Sequence, residues 1–193
     1  ATTEKRDKSP RLAPELESSL KRYGSYTELK RAALIIAAAQ TDKRSVKKLR
    51  EEFLKIDTDA SGTINEQELC AALGVAELDT PTKDVFAKLD HDRSGEVHYH
   101  EFLAATLEAH ELLNEEVLQD TFDRMDHDDS GVISRENLRS LLGSRASDEL
   151  VETLMQDGDL KRNGHVDYEE FSRVMRSGAS GSVDSLEDVA PMF

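Results

Sequence analysis

Four acid-rich segments of twelve residues contain most of the side chains in this chain that could do chemistry. They read DTDASGTINEQE, DHDRSGEVHYHE, DHDDSGVISREN and DLKRNGHVDYEE, and they begin at Asp57, Asp90, Asp126 and Asp159. Each segment has a glycine at its sixth position and an apolar residue at its eighth. Because the glycines lie 33, 36 and 33 residues apart, the segments are repeats of one unit.

This layout suits a calcium ion, which takes about 6–8 oxygen ligands. In a twelve-residue loop, positions 1, 3 and 5 offer side-chain oxygens, position 7 offers a backbone carbonyl, and a glutamate at position 12 offers both carboxylate oxygens. Glycine at position 6 makes the sharp turn without steric cost. The apolar eighth residue is expected to pair with its counterpart as a short strand, so the loops should come in twos.

The first two segments fit this pattern in full. In the first loop we predict ligands from Asp57, Asp59, Ser61, the carbonyl of Thr63, Asn65 at position 9 and Glu68. In the second loop we predict ligands from Asp90, Asp92, Ser94, the carbonyl of Glu96 and Glu101, with His98 at position 9. A single acidic run is usually a solvated loop, but two full matches within a fourfold repeat favour metal binding.

The third and fourth segments depart from the pattern. The third ends in Asn137, which has one neutral oxygen where glutamate has two charged ones, and the fourth has Lys161 at position 3, where a cation repels the metal. The candidate ligands that remain are Asp126, Asp128, Ser130 and the carbonyl of Val132 in the third loop, and Asp159, Asn163, the carbonyl of His165 and Glu170 in the fourth. Either loop could equally be an empty structural unit. We therefore predict two strong Ca²⁺ sites and at most four.

Helical patterns flank every loop and define the fold class. Leu49, Phe53 and Ile56 recur at helical spacing before the first loop, for example, and the other loops have similar flanks. Helix, loop and helix therefore repeat four times, which predicts an all-α chain of four EF-hands in two calmodulin-like lobes. We assign residues 1–41 to a junction segment, 42–109 to the first lobe, 110–177 to the second lobe and 178–193 to a flexible tail.

A long junction helix is predicted ahead of the first lobe. The stretch from Tyr26 to Gln40 favours helix and is apolar around much of its circumference, so it must be buried. Residues 1–56 carry 14 Lys and Arg against 8 Asp and Glu, whereas the remainder carries 11 against 32. We interpret this basic helix as an internal ligand of one acidic lobe, with the second lobe favoured. Its contact residues would be Leu29, Ala33, Leu34 and Ile36.

The alternative interpretation is that this helix extends the first hand's entering helix within a fixed core.

Composition excludes several functions. The acidic body argues against nucleic acid as a partner, and the longest apolar run, residues 32–39, is far shorter than the roughly 20 residues of a membrane span. A single cysteine, Cys70, excludes an intrachain disulfide and fits an intracellular, cytoplasmic location. The sequence contains no kinase motifs such as HRD or DFG, and the loops account for its acids. We therefore predict no catalytic residues.

The order of these parts resembles the regulatory region of calcium-dependent protein kinases of plants and protists. The resemblance rests on LESSLKRYGSYTELKRAALIIAAAQ followed by four EF-hands, and it covers about residues 12–176. It implies that the junction is an autoinhibitory segment that follows a serine/threonine kinase domain. Calcium would rearrange the hands around the junction and release the kinase, so the partners would be the chain's own kinase domain and the junction helix.

Two other functions stay open. A free-standing sensor would bind target helices on other proteins, although a self-ligand would occupy its groove. A calcium buffer would bind calcium and barely open, so calcium-dependent exposure of apolar surface separates a buffer from a sensor.

Overall fold

The computed structural model describes residues 12–75, 80–108, 111–143 and 146–178. The start of the predicted junction segment and nearly all of the predicted flexible tail lie outside the described residues. Within them, the all-α fold with four EF-hands is confirmed. None of the described helices combines the length and the apolar character that crossing a bilayer requires.

Helices and four two-residue strands make up the described chain. The junction contains α1 (Pro14–Tyr23) and α2 (Glu28–Gln40). The first lobe contains α3 (Lys47–Ile56), β1 (Thr63–Ile64), α4 (Glu66–Leu73), α5 (Thr80–Leu89), β2 (Val97–His98) and α6 (Tyr99–Thr106). The second lobe contains α7 (Glu115–Met125), β3 (Val132–Ile133), α8 (Arg135–Leu142), α9 (Asp148–Gly158), β4 (Val166–Asp167) and α10 (Tyr168–Arg176).

The junction forms two helices where the sequence predicted one long helix. Gly24 ends α1, and a tight turn follows in which the Tyr26 N–H donates to the carbonyl of Tyr23 at 3.1 Å. Thr27 then starts a new helix, because its hydroxyl oxygen accepts from the Lys30 N–H at 3.3 Å. The predicted stretch from Tyr26 therefore corresponds to α2, and α1 was missed.

The loops pair through their eighth residues, as predicted. Ile64 lies opposite Val97 in the antiparallel pair β1–β2, and Ile133 lies opposite Val166 in β3–β4. All four side chains are buried. Each lobe also contains an equivalent aromatic contact: the rings of Phe53 and Phe102 meet edge to face with centroids 5.5 Å apart, and those of Phe122 and Phe171 do so at 5.5 Å.

The two junction helices are bound by different parts of the EF-hand body. Helix α1 packs on α5 and α6 of the first lobe, whereas α2 packs on α6 and on α7, α9 and α10 of the second lobe. Helix α2 ends at Gln40 and α3 begins at Lys47, so α2 does not extend the entering helix of the first hand. Helix α1 buries one face and α2 buries most of its residues, and α6 contacts both helices.

Candidate calcium-binding loops

All four loops share one backbone conformation. Their position-6 glycines have φ values between 82° and 89°, in the left-handed region that glycine enters without strain. The position-4 residues are also left-handed, with φ of 58° at Ala60, 59° at Arg93, 52° at Asp129 and 55° at Arg162. These four residue types share no pattern, so no sequence signal marks this second left-handed position. The degenerate loops therefore keep the shape of the intact ones.

In the first loop, backbone N–H groups orient the carboxylates. Asp57 accepts from the N–H of Ser61 at 3.0 Å and from the N–H of Gly62 at 2.9 Å. Glu68 accepts from the N–H of Thr58 at 2.7 Å and from that of Asn65 at 3.1 Å. Both carboxylates are buried, so these bonds fix where their oxygens lie.

The second loop repeats this arrangement. Asp90 accepts from the Ser94 N–H at 2.9 Å, and Glu101 accepts from the N–H groups of His91 and His98, each at 2.8 Å. Glu101 is fully buried, and this burial raises the pKa of its carboxyl. Its charge is costly at this place unless a cation faces it.

The carboxylates of each intact loop converge on one point. One oxygen each from Asp57, Asp59 and Glu68 lie within 4.8 Å of one another, and the same holds for Asp90, Asp92 and Glu101. Across the part of the chain that the structure describes, neither lysine nor arginine forms an ion pair with these six groups. Three clustered carboxylates repel one another, and oxygen donors suit Ca²⁺. These residues therefore fit a calcium ion.

The remaining predicted ligands lie beside these carboxylates. The Ser61 hydroxyl donates to the carbonyl oxygen of Thr63 at 3.2 Å, and the Ser94 hydroxyl donates to that of Glu96 at 2.9 Å. A bond that the sequence did not indicate joins the two loops, because the Thr63 hydroxyl donates to the Glu96 carboxylate at 2.8 Å. Both residues occupy position 7 of their loops, and Thr63 is also the first residue of β1, so this side-chain bond joins the loops beside the paired strands.

The third and fourth loops keep most of the hydrogen bonds seen in the first two, chiefly those in which loop side chains accept from backbone N–H groups. We call this set the ring of each loop. Asp126 accepts from the Gly131 N–H at 2.7 Å, and Asp159 accepts from the Gly164 N–H at 2.8 Å. The other candidate ligands of these loops take part in the same rings, namely Asp128, Ser130, Val132, Asn163, His165 and Glu170. Within the described ranges, however, neither loop brings three acidic, histidine or cysteine side chains as close together as the first two do.

Asn137 fills the third loop with its own amide. The side-chain nitrogen donates to Asp128 Oδ1 at 3.1 Å, and the side-chain oxygen accepts from the Ser134 N–H at 2.8 Å. The first of these bonds lowers the pKa of Asp128. The Asn137 amide thus donates a hydrogen bond where a glutamate would add negative charge. The carboxylate of Asp128, at position 3, therefore has a hydrogen-bond partner without a metal.

Lys161 supplies a positive charge to the fourth loop. Its ammonium donates to Asp167 at 2.5 Å and to Glu169 at 3.1 Å, and the hydrogen bond to Asp167 raises the pKa of Lys161. The buried Glu170 still turns inward, accepting from the Lys161 N–H at 2.7 Å. The lysine therefore engages the position-9 carboxylate as well as replacing a ligand.

The predicted contact residues of α2 lie in the interior. Leu29, Ala33 and Leu34 are fully buried, and Ile36 is partly buried against the same core. Leu29 packs closely on the fourth hand, because a Cβ added to Gly158 would lie 2.5 Å from Leu29 Cδ2. The glycine just before the fourth loop thus leaves room for the junction.

Lys30 lies in the interior of the molecule, where the sequence did not predict a charged residue. Its ammonium is buried, donates to the Ser177 carbonyl at 2.6 Å and lies 3.4 Å from Glu108. It also sits 4.1 Å from the centre of the Tyr26 ring, and the Tyr26 hydroxyl bonds to Glu108. These contacts tie α2 to the ends of α6 and α10. The apolar run of residues 32–39 begins just after Lys30 and Arg31, so no local pattern indicated that the ammonium would be buried.

Comparison with known proteins also identifies two pairs of EF-hands in this chain. The model of the EF-hand domain pair matches residues 46–107 and 115–176. The chain is 32% identical over 166 residues to calcium-dependent protein kinase 2 of Zea mays, which covers 83% of this chain and 32% of that protein. It is 34% identical to calcium-dependent protein kinase 9 of Arabidopsis thaliana, with 83% and 31% covered, and 32% identical to calcium-dependent protein kinase 7 of Oryza sativa subsp. japonica, with 88% and 32% covered. The chain therefore spans about a third of the length of these relatives.

Proposed function

Because this chain belongs to the family of paired EF-hand domains, we propose that it is a calcium sensor with two working sites, both in the first lobe. The observation that carries this proposal is the contrast between the loops. Three carboxylates converge in each of the first two loops without a lysine or arginine among the described residues to pair them, whereas Asn137 and Lys161 occupy the third and fourth.

The ligands we propose are those predicted for the first two loops. A bound Ca²⁺ would supply the positive charge that offsets each carboxylate cluster. In the second hand, Glu101 is also the third residue of α6 and accepts from the His98 N–H at its start. A movement of Glu101 therefore moves the first turn of α6, and α6 contacts both α1 and α2. The buried Ser19 hydroxyl, which donates to the Ala105 carbonyl at 2.8 Å, is one such contact.

We further propose that this movement relieves autoinhibition of a serine/threonine kinase domain joined to the same chain in the cytoplasm. The names of the relatives and the placement of the junction on α6 support this proposal. In a longer chain that carries the kinase domain, calcium should raise kinase activity. Replacing Glu68 and Glu101 together with glutamine should abolish that response.

Calorimetric titration with calcium in millimolar magnesium tests the sensor. We expect two sites with Kd in the range of about 10⁻⁷–10⁻⁵ M. Glu68→Gln and Glu101→Gln should each remove one of them, because glutamine has a single neutral oxygen. Glu170→Gln, the same change in the fourth loop, is the matched control and should leave both sites. Four equal sites, or sites that survive the first two substitutions, would contradict the proposal.

A change of shape separates a sensor from a buffer. We expect the elution volume of the chain to change on adding calcium, because α6 and the junction move. Binding without such a change would favour the buffer. A sensor that acts on other proteins is disfavoured because α1 and α2 cover apolar surface of the lobes. Tight binding of basic amphipathic peptides by the unaltered chain would reverse that judgement.

A further inference from the structure

Two charged residues at equivalent places in the second and fourth hands each contact one end of a junction helix. Each lies two residues before its loop begins. The Lys88 ammonium donates to the carbonyl oxygen of Gly24, the C-cap of α1, at 2.5 Å. The Asp157 carboxylate accepts from the N–H of Leu29, in the first turn of α2, at 3.1 Å.

The chemistry of each side chain fits only the helix end that it meets. A helix leaves carbonyl oxygens without partners at its C-terminus and N–H groups without partners at its N-terminus. An ammonium only donates, and a carboxylate only accepts. The helix dipole favours the same assignment, with a cation at the end of α1 and an anion at the start of α2. Exchanging the two charges would set donors against donors and acceptors against acceptors.

The Lys88 side chain packs closely on the end of α1, whereas the residue at the same position of the first hand contacts its own helix. A Cβ added to Gly24 would lie 3.7 Å from Lys88 Cδ, so the lysine stem covers the end of α1. In the first hand the corresponding residue is Lys55, and it pairs at 2.5 Å with Glu52 on its own helix. The position therefore contacts the junction in the second and fourth hands.

We propose that Lys88 and Asp157 determine which end of a junction helix the second and fourth hands each bind, and so in which direction that helix runs. The second hand recognises α1 by its C-terminal end and the fourth hand recognises α2 by its N-terminal end, so α1 and α2 cannot exchange places. This assignment goes beyond calcium sensing and does not depend on it. Hydrogen exchange reports on backbone amides directly, so it can support the assignment even where the calorimetric titration shows no calcium binding.

Amide hydrogen exchange of the full chain, followed by NMR with and without calcium, tests the acceptor. Asp157→Ala should speed exchange of the Leu29 amide about five- to tenfold, because one hydrogen bond is lost. Asp157→Asn keeps an acceptor and should restore protection. The Lys30 amide, which Thr27 holds in the same turn, is the internal control. The matched control variant is Glu149→Gln, a substitution of an exposed carboxylate on α9.

The donor is tested in the same way at the end of α1. Lys88→Met keeps the stem and loses the donor, so exchange at the Tyr23 and Gly24 amides should quicken. Lys88→Arg should restore protection, and Lys83→Met, also on α5, should change nothing. Circular dichroism identifies any variant that has unfolded. If the alanine or methionine variant has unfolded, the protection measured in Asp157→Asn and Lys88→Arg tests the proposal. The proposal is overturned if Asp157→Ala exchanges like Asp157→Asn, or if Lys88→Met behaves like Lys83→Met.

Discussion

In the third loop, the Asn137 side-chain nitrogen lies 3.1 Å from Asp128 Oδ1, where the second loop has Glu101 converging with Asp92. The residue at position 12 thus determines whether the loop is closed by an amide that donates a hydrogen bond or by a further carboxylate. The same glutamate or asparagine also caps the helix that follows its loop. The cap survives the substitution, which explains how the third hand keeps its fold.

Asn137→Glu should therefore create a third calcium site. The substitution removes the donor that satisfies Asp128 and adds a bidentate carboxylate to an intact backbone ring. We expect the calorimetric stoichiometry to rise from two to three, with the new Kd within about 10⁻⁷–10⁻⁵ M. Asn137→Gln, which keeps an amide, is the control and should leave the stoichiometry at two. An unchanged stoichiometry in the glutamate variant would show that more than position 12 disables this loop.

Lys30 produces a pH dependence at the residue scale. Burial lowers the pKa of its ammonium, although Glu108 acts in the opposite direction. The unfolded chain, where lysine has a pKa of about 10.4, therefore binds this proton more tightly than the folded chain. Stability rises with pH wherever the unfolded state binds more protons. Relative to Lys30→Met, the wild type should thus gain stability as pH rises from about 7 to about 9.5, towards the ordinary lysine pKa.

Urea unfolding at several pH values between about 7 and 9.5 measures this difference. The range stays below the ordinary pKa of tyrosine, about 10, so the neighbouring Tyr26 does not interfere. Lys83→Met removes an exposed ammonium from α5 and serves as the control for the loss of one lysine charge. A stability difference for Lys30→Met that stays constant or shrinks with rising pH would contradict a lowered lysine pKa.

Among the elements, α2 and the end of α9 fit most closely. Gly158 is the last residue of α9, and Leu29 and Val166 both crowd the space where its side chain would be. The strand β4, which contains Val166, pairs with β3. The junction helix, the fourth loop and the loop pair therefore meet at this glycine.

Gly158→Ala should destabilise the chain by about 1–3 kcal/mol, the usual cost of overpacking a core. The added Cβ would lie 2.5 Å from Leu29 Cδ2 and 2.7 Å from Val166 Cγ2, and the branched valine has little freedom to turn away. Thermal or urea unfolding measures the loss. Gly178→Ala, which meets no atom within 4 Å, is the control. Equal stability in the two variants would mean that the contact relaxes freely.

The sequence predicted the elements unevenly, for physical reasons. Loop spacing defined the hands, the candidate calcium ligands and the strand pairs, because metal chemistry and the strand period fix residue types at set positions. The sequence did not indicate α1, because its ten residues are mostly polar. Its residues Leu16, Leu20 and Tyr23 become buried only against α5 and α6. Long-range contacts such as Lys88 with Gly24 carry no local pattern, so neighbouring residues alone could not have predicted them.

At the scale of the whole molecule, α2 is a shared core that both lobes cover. It packs on α6 from the first lobe and on α7, α9 and α10 from the second. The lobes are therefore mechanically connected through the junction and do not behave as independent domains joined by a linker. Loss of core volume in α2 should weaken both of them together.

Leu34→Ala should reduce the free energy of unfolding by about 2–5 kcal/mol, because Leu34 is fully buried in α2. Amide exchange at Leu49 in the first lobe and at Leu138 in the second should quicken in parallel. Leu54→Ala removes the same atoms from a leucine that is 55% exposed and should change stability by less than about 0.5 kcal/mol. Faster exchange in only one lobe would refute the shared core.

The short connection between α2 and α3 favours the chain's own helix over any competitor. Only residues 41–46 separate the two helices, so α2 is held near its binding surface at an effective concentration on the order of millimolar. A helix of equal intrinsic affinity on another protein, present at about micromolar concentration, would win roughly one encounter in a thousand. Local tethering, more than affinity, reserves this surface for the chain's own helix.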